Sequence, residues 1–185
     1  MDEFIKDIKN SGAIAACSDD VAQAIIDHAS LKQCETVVEL GPGTGAITQK
    51  LLEELADETL FLALELNPHF AKTTQKKYPK AIVYNDTAEN IKYYLDKHNK
   101  THCDCIISTL PWTLFTKELQ YKILQAVVDV LKPGGQFLTV TYTFTGFLPM
   151  GIHFRKLLKE TFGTIGRTKP IWKNLPPVYV YYCQK

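Results

Sequence analysis

Two hydrophobic periods take turns along the chain. Short unbroken apolar runs occur at Thr36-Val37-Val38, Leu60-Phe61-Leu62-Ala63-Leu64, Ala81-Ile82-Val83-Tyr84 and Cys105-Ile106-Ile107, and again over Gln136 to Tyr142. Runs of this length, rich in β-branched and aromatic residues, predict buried strands. Between them, apolar residues recur at helical spacing. The sets are Val21, Ala24, Ile25 and Ala29; Ile47, Leu51, Leu52 and Leu55; Ile91 and Leu95; and Leu119, Ile123, Val127, Val128 and Leu131. Each set predicts a helix with one buried face. The boundaries carry matching signals. Ser18 or Asp19 can cap the first of these helices, Asn67-Pro68 opens another, and Tyr78-Pro79 closes it. Lys132-Pro133-Gly134-Gly135 stops the helix that starts near Lys117.

Strand and helix in alternation predict an α/β fold, a mostly parallel sheet with helices on both faces. The last third changes character. Phe144 to Gly151 is an apolar, turn-rich loop, and a short helix is expected over Ile152 to Glu160. Two further strands are expected at Thr161 to Thr168 and Val178 to Cys183. With no internal repeat or linker, residues 1–185 read as one domain, in which residues 1–30 form a helical cap. Within the cap, residues 2–9 place Phe4, Ile5 and Ile8 on one helix face, and Ser11 to Ser18 is a small-residue loop.

Composition adds limits. A net charge of +1 gives no global case for a nucleic-acid partner. The five cysteines are scattered, and without a secretory signal they read as reduced thiols in a cytoplasm. Cys103 and Cys105 have no second pair at metal-ligand spacing, so no metal site is expected. No apolar run approaches the roughly 20 residues needed to span a bilayer, so any membrane contact is expected to be peripheral.

The chemistry gathers at the expected strand ends. The first strand runs into Glu39-Leu40-Gly41-Pro42-Gly43-Thr44-Gly45 and then a helix. Glycines let the chain turn sharply and let a ligand approach bare backbone. Gly41-x-Gly43-x-x-Ala46 also fits a dinucleotide fingerprint, but Glu39 would face the pyrophosphate and repel it. The same carboxylate suits an ammonium and a sulfonium, which points to S-adenosylmethionine. Glu65 ends the second strand, twenty residues beyond Gly45, where an acid can accept both ribose hydroxyls. Asp86 ends the third and can accept an adenine amino group, cap the next helix, or both. Thr109 follows the fourth. The expected cofactor set is Glu39, Gly41, Gly43, Gly45, Glu65, Leu66, Asp86, Thr87 and Thr109.

These motifs, with Ser108-Thr109-Leu110-Pro111-Trp112 and Leu131-Lys132-Pro133-Gly134-Gly135, resemble class I S-adenosylmethionine-dependent methyltransferases. That resemblance implies a Rossmann-like, seven-stranded sheet with an antiparallel last strand. Ser11-Gly12-Ala13-Ile14-Ala15 and Trp172-Lys173-Asn174-Leu175-Pro176-Pro177-Val178 narrow it to the soluble-type bacterial phospholipid N-methyltransferases. That implies methylation of phosphatidylethanolamine. On this view Leu110, Trp112, Arg155, Arg167, Trp172 and Lys173 are the expected acceptor-side residues, the cations meeting lipid phosphate. No catalytic base is assigned. Three features depart from that subfamily: a short, acidic-leaning start to the chain, Thr109 in place of a common glycine, and the bulk of Trp112. Thr109-Leu-Pro-Trp also resembles the Asn-Leu-Pro-Tyr segment of RNA adenine dimethyltransferases, which makes RNA adenine an alternative acceptor. A small-molecule amine is another alternative. A cofactor-binding module without catalysis is the alternative outside enzymes.

Overall fold

The computed structural model describes residues 17–185. The helix expected over residues 2–9 and the loop from Ser11 to Ala16 lie outside them. Seven strands form one sheet: β1 (Thr36–Leu40), β2 (Leu60–Leu64), β3 (Ile82–Tyr84), β4 (Cys103–Ser108), β5 (Leu131–Tyr142), β6 (Thr164–Arg167) and β7 (Val178–Gln184). Their order is β3-β2-β1-β4-β5-β7-β6. Strands β1 to β5 pair in parallel, and β7 runs antiparallel between β5 and β6. The helices are α1 (Asp19–Ile26), α2 (Ala46–Glu54), α3 (Pro68–Lys77), α4 (Ile91–Lys97), α5 (Lys117–Val130) and α6 (Pro149–Thr161). This is the Rossmann-like architecture expected from the alternation.

The strands alternate cleanly between two cores. Val37, Phe61, Ala63, Cys105, Ile107 and Leu138 face a cluster with α1 and α2 residues such as Val21, Ile25, Ile47 and Leu51. Val38, Leu40, Leu62, Leu64, Ile106 and Phe137 face the opposite cluster with α4, α5 and α6 residues such as Leu95, Leu124 and Phe154. Both faces are covered, so the strands read as unbroken apolar runs. Each fully buried large side chain contributes roughly 1.5–3 kcal/mol of hydrophobic burial.

Several boundaries moved, each for a local reason. Asn67 caps α3, its side chain accepting from the backbone N–H of His69 and Phe70. Ser18 holds the cap position of α1 without a side-chain cap bond; its N–H instead donates to Asn174 Oδ1 at 3.0 Å. The glycine stretch after α5 ends that helix, yet it belongs to β5. Leu131 pairs with Cys103 and Gln136 with Cys105, so the intervening residues bulge out of the ladder. Helix α6 runs on to Thr161, which leaves only Thr164–Arg167 for β6.

The topological switch lies between β1 and β4. The chain moves outward through β2 and β3 on one side and through β5 on the other. Ligands in open α/β sheets bind at that crevice, beyond the carboxyl ends of the strands.

Candidate functional site

Leu40, Leu64 and Ser108 stand in register at the ends of β1, β2 and β4. Each ladder continues one step further. Gly41 N–H donates to Leu64 O at 2.9 Å, Thr109 N–H to Leu40 O at 3.0 Å, and Glu65 N–H to Tyr84 O at 3.0 Å. The residues expected at four strand ends therefore sit side by side.

The turn after β1 is left-handed three times, with φ of 77° at Gly41, 57° at Gly43 and 82° at Gly45. A side chain added at Gly41 would press on Leu110, its Cβ only 2.9 Å from Leu110 Cδ2. One added at Gly45 would overlap the Tyr78 ring. One added at Gly43 would meet no atom of the described residues within 4 Å. The three glycines of the turn therefore differ in what their missing side chains leave room for. Gly41 and Gly45 make room for protein side chains, and Gly43 alone faces open volume.

Two carboxylates flank the turn. Glu39 is fully buried on β1, and Thr48 Oγ1 of α2 donates to its Oε2 at 2.6 Å. Its Oε1 has no hydrogen-bond partner among the described residues. Burial pushes the Glu39 carboxyl up to about 7, the Thr48 bond pulls against that, and the charge of Glu65 adds to it. An unpartnered buried carboxylate oxygen beside a second acid is costly alone and favourable beside a cation. The sulfonium and ammonium of S-adenosylmethionine fit that requirement.

Glu65 Oε2 accepts from Gly43 N–H at 2.9 Å, and Oε1 accepts from Asn67 N–H at 2.8 Å. Burial raises its carboxyl above the usual range, opposed by the N–H groups of Asn67, Gly43 and Leu66. Glu65 thus braces the glycine turn, and each oxygen keeps a lone pair for a ribose hydroxyl. Glu65→Ala is expected to weaken S-adenosylhomocysteine binding at least about 100-fold, each charged hydrogen bond contributing roughly 1.5–3 kcal/mol. Isothermal titration measures this, and unchanged affinity would remove Glu65 from the ribose.

Asp86 accepts from Thr87 N–H at 2.7 Å, Asn90 Nδ2 at 2.9 Å and Tyr94 Oη at 2.8 Å. Burial is the largest single influence on its carboxyl and raises it, but these bonds together hold it below the usual range. The expected capping role is not what these bonds do: Thr87 and Asn90 hold the cap positions of the turns that follow. Asp86 instead ties the side chains of Asn90 and Tyr94 together, on oxygens that an adenine amino group would share. Leu66 is half-buried, and its carbonyl accepts from Asn85 Nδ2 at 3.0 Å. Thr109 Oγ1 donates to the Gly41 carbonyl in a short bond. Its proton is thus committed to the turn.

Of the expected acceptor-side residues, Leu110 lies against Gly41. Trp112 must be corrected. It is 1% exposed, its ring stacks on Phe154 at 4.5 Å, and its Nε1 donates to Ser108 Oγ at 3.0 Å. It supports the loop from inside the core and offers no face to an acceptor. Trp172 and Lys173 are exposed in the segment before β7, with Lys173 paired to Asp20 at 3.0 Å. Asn174, buried beside them, ties this segment to α1 through its bond from Ser18. Arg155 is exposed on α6. Arg167, on the edge strand β6, lies over the Tyr179 ring at 4.0 Å. The three cations thus stand on three different segments, α6, β6 and the stretch before β7.

Sequence reasoning missed Thr48 and Thr74, whose Oγ1 donates to Gly43 O at 2.7 Å. Both are fully buried. The available signal was a threonine on the inward stripe of each helix. Among the described residues no group of acids, cysteines and histidines has the arrangement of a metal site.

The profile of the family described as ribosomal RNA adenine dimethylase matches residues 17–136. The chain belongs to that family. It is an S-adenosylmethionine-dependent methyltransferase. This dimethylase-family chain is 24% identical over 188 residues to the ornithine lipid N-methyltransferase of Singulisphaera acidiphila, a match covering 100% of this chain and 93% of the relative. It is 32% identical over 108 residues to the dimethyladenosine transferase of Schizosaccharomyces pombe, covering 57% of this chain but 33% of that protein. Its fold resembles that of an S-adenosylmethionine-dependent O-methyltransferase from Thermotoga maritima, with a TM-score of 0.70, 18% identity, and 98% of this chain and 71% of the other covered.

Proposed function

We propose that this methyltransferase acts on the amine of a lipid headgroup, of the phosphatidylethanolamine type. The observation that carries this reading is an apolar rim at the carboxyl edge of the sheet. Phe144, Phe147, Leu148 and Ile152 follow β5, and Trp172 and Leu175 precede β7; all are exposed, Phe147 by 87% and Leu175 by 83%. Tyr142 pairs with Val178, and Thr143 N–H donates to Pro177 O at 2.9 Å, so both segments leave the sheet at the same edge as Leu40 and Ser108. Large exposed apolar patches mark interaction surfaces. Arg155 and Lys173 lie within these segments, where cations favour lipid phosphate. The contact would be peripheral: no helix among the described residues is long and apolar enough to cross a membrane. The full-length match to a lipid N-methyltransferase supports the same reading.

S-adenosylmethionine supplies a methyl group on a sulfonium, already activated for displacement. The chain's task is to hold a neutral amine in line with it, since an ammonium has no lone pair. Apolar surroundings at Leu110 and the rim favour the neutral amine. Glu39, Gly43 and Glu65 would hold the cofactor, which would give its methyl group to the amine and keep the bonding pair on sulfur, and the methylated ammonium would release its proton to water.

Family membership favours a second reading, methylation of adenine in RNA. Two details weigh against it. Thr109 has no amide oxygen and its proton is bonded to Gly41. Trp112 is buried and cannot stack on a base. Labelled methyl transfer to phosphatidylethanolamine vesicles, RNA and small amines, run in parallel, decides between them. Transfer to vesicles is expected, and changing Arg155, Arg167 and Lys173 together to alanine should reduce it about tenfold at low salt while leaving cofactor affinity unchanged. Robust methylation of RNA with none of vesicles would overturn the lipid reading.

A further inference from the structure

Gln120 sits in the interior of α5, fully buried on a helix face shared with Ile123, Leu124 and Val127. A buried amide is tolerated only when its polar atoms are satisfied. Here all are engaged. Nε2 donates to the carbonyl of Trp112 at 2.6 Å and to that of Met150 at 3.2 Å. Oε1 lies 2.7 Å from His153 Nδ1. Carbonyls only accept, so the amide can be oriented one way. Oε1 is then the acceptor, and His153 carries a proton on Nδ1. One side chain thereby joins α5, the loop after β4 and the first turns of α6. That helix follows its N-cap Leu148 and presents Ile152 to solvent.

We propose that Gln120 is a positioning residue for methyl transfer, fixing the acceptor loop Thr109 to Trp112 against the apolar start of α6. The inference rests on the reading that the acceptor lies beside Thr109 and Leu110, between the cofactor turn and the apolar rim. Trp112 is itself locked by Ser108 and Phe154, so displacement of its carbonyl carries the loop with it. A surface seated on Leu148 and Ile152 would set the position of α6, and through Gln120 that of the loop. Gln120 itself bonds to none of Glu39, Gly43 or Glu65. The loop meets the cofactor turn at its near end, where Thr109 is also held by β1 through its N–H bond to Leu40 O, so the far end at Trp112 is the part that depends on Gln120.

The test compares Gln120→Leu, Gln120→Glu, His153→Ala and the double variant Q120L/H153A. All are assayed with whichever acceptor the wild type methylates: phosphatidylethanolamine vesicles, RNA or a small amine. Wild-type inertness toward vesicles defeats the lipid reading and leaves the Gln120 comparison to the other acceptors. Gln120→Leu is expected to lower kcat about 10- to 100-fold, with S-adenosylhomocysteine affinity held within about twofold, because a small misplacement of a reactant is costly. A carboxylate at position 120 cannot donate to either carbonyl, but a protonated carboxyl can donate once. The kcat deficit of Gln120→Glu should therefore shrink as pH falls, a recovery that loss of packing would not give. Adding His153→Ala to Gln120→Leu should cost little more, because both act through one link. Should Gln120→Leu fail to fold, Gln120→Glu and His153→Ala carry the comparison. Unchanged kcat, or equal losses in kcat and cofactor affinity, would overturn the proposal.

Discussion

Gly43→Val is expected to leave a folded protein that no longer binds its cofactor measurably. Among the described residues nothing lies within 4 Å of the added Cβ, so the core they form is untouched. The cost to the fold is backbone strain at a φ of 57°, about 1–3 kcal/mol. That is affordable within a typical stability of roughly 5–15 kcal/mol. The isopropyl group instead fills the volume where a ligand would meet the turn. Circular dichroism and isothermal titration with S-adenosylhomocysteine report the two effects separately. Gly45→Ala is the contrasting control, since its Cβ would overlap Tyr78 and should lower the melting temperature. A Gly43→Val protein with native spectrum and normal affinity would show that this turn does not hold the cofactor.

Glu39→Gln should stabilise the protein without cofactor at pH 8 while weakening cofactor binding. The folded-state Glu39 carboxyl lies near 7, above its ordinary 4.5. Between those values the folded chain keeps a proton that the unfolded chain has released. Wild-type stability therefore falls as pH rises from 4.5 to 7, and the full penalty persists above 7. The shift corresponds to about 3 kcal/mol. Glutamine carries no charge and its carbonyl can still accept from Thr48, so the variant escapes most of that penalty. Urea unfolding at pH 5 and pH 8 should show a wild-type disadvantage of about 2–3 kcal/mol at the higher pH and little at the lower. Cofactor should reverse the order by rescuing only the wild type. A stability difference independent of pH would mean that Glu39 is not the strained group.

The sheet and its helices were legible because local signals agreed with the tertiary outcome. Unbroken runs such as Leu60 to Leu64 announced strands covered on both faces, and Asn67-Pro68 announced a helix start that the side chain of Asn67 does cap. Glu39, Gly43, Glu65 and Thr109 were legible because strand ends in parallel register must meet. What could not be read was which side of a residue faces what. Gly41 and Gly45 carry the same signal as Gly43, yet the side chains that crowd them come from residues 110 and 78. Trp112 follows a proline in a polar-looking loop, and only the fold brings Phe154 under its ring. Gln120 lies outside the apolar set Leu119, Ile123, Val127, Val128 and Leu131, and its partners Trp112 and His153 lie eight and thirty-three residues away in other elements.

The place of β7 inside the sheet bears on how the protein is made. The seventh strand in chain order must enter between two that are synthesised before it, β5 and β6. Until it does, β5 keeps an unpaired edge, β6 has no neighbour, and Val178 and Val180 are missing from the core. Open edges of this kind recruit other chains. Residues 178–184 must therefore be synthesised before the sheet can close, and a nascent chain paused just short of residue 178 is the species that chaperones need to shield.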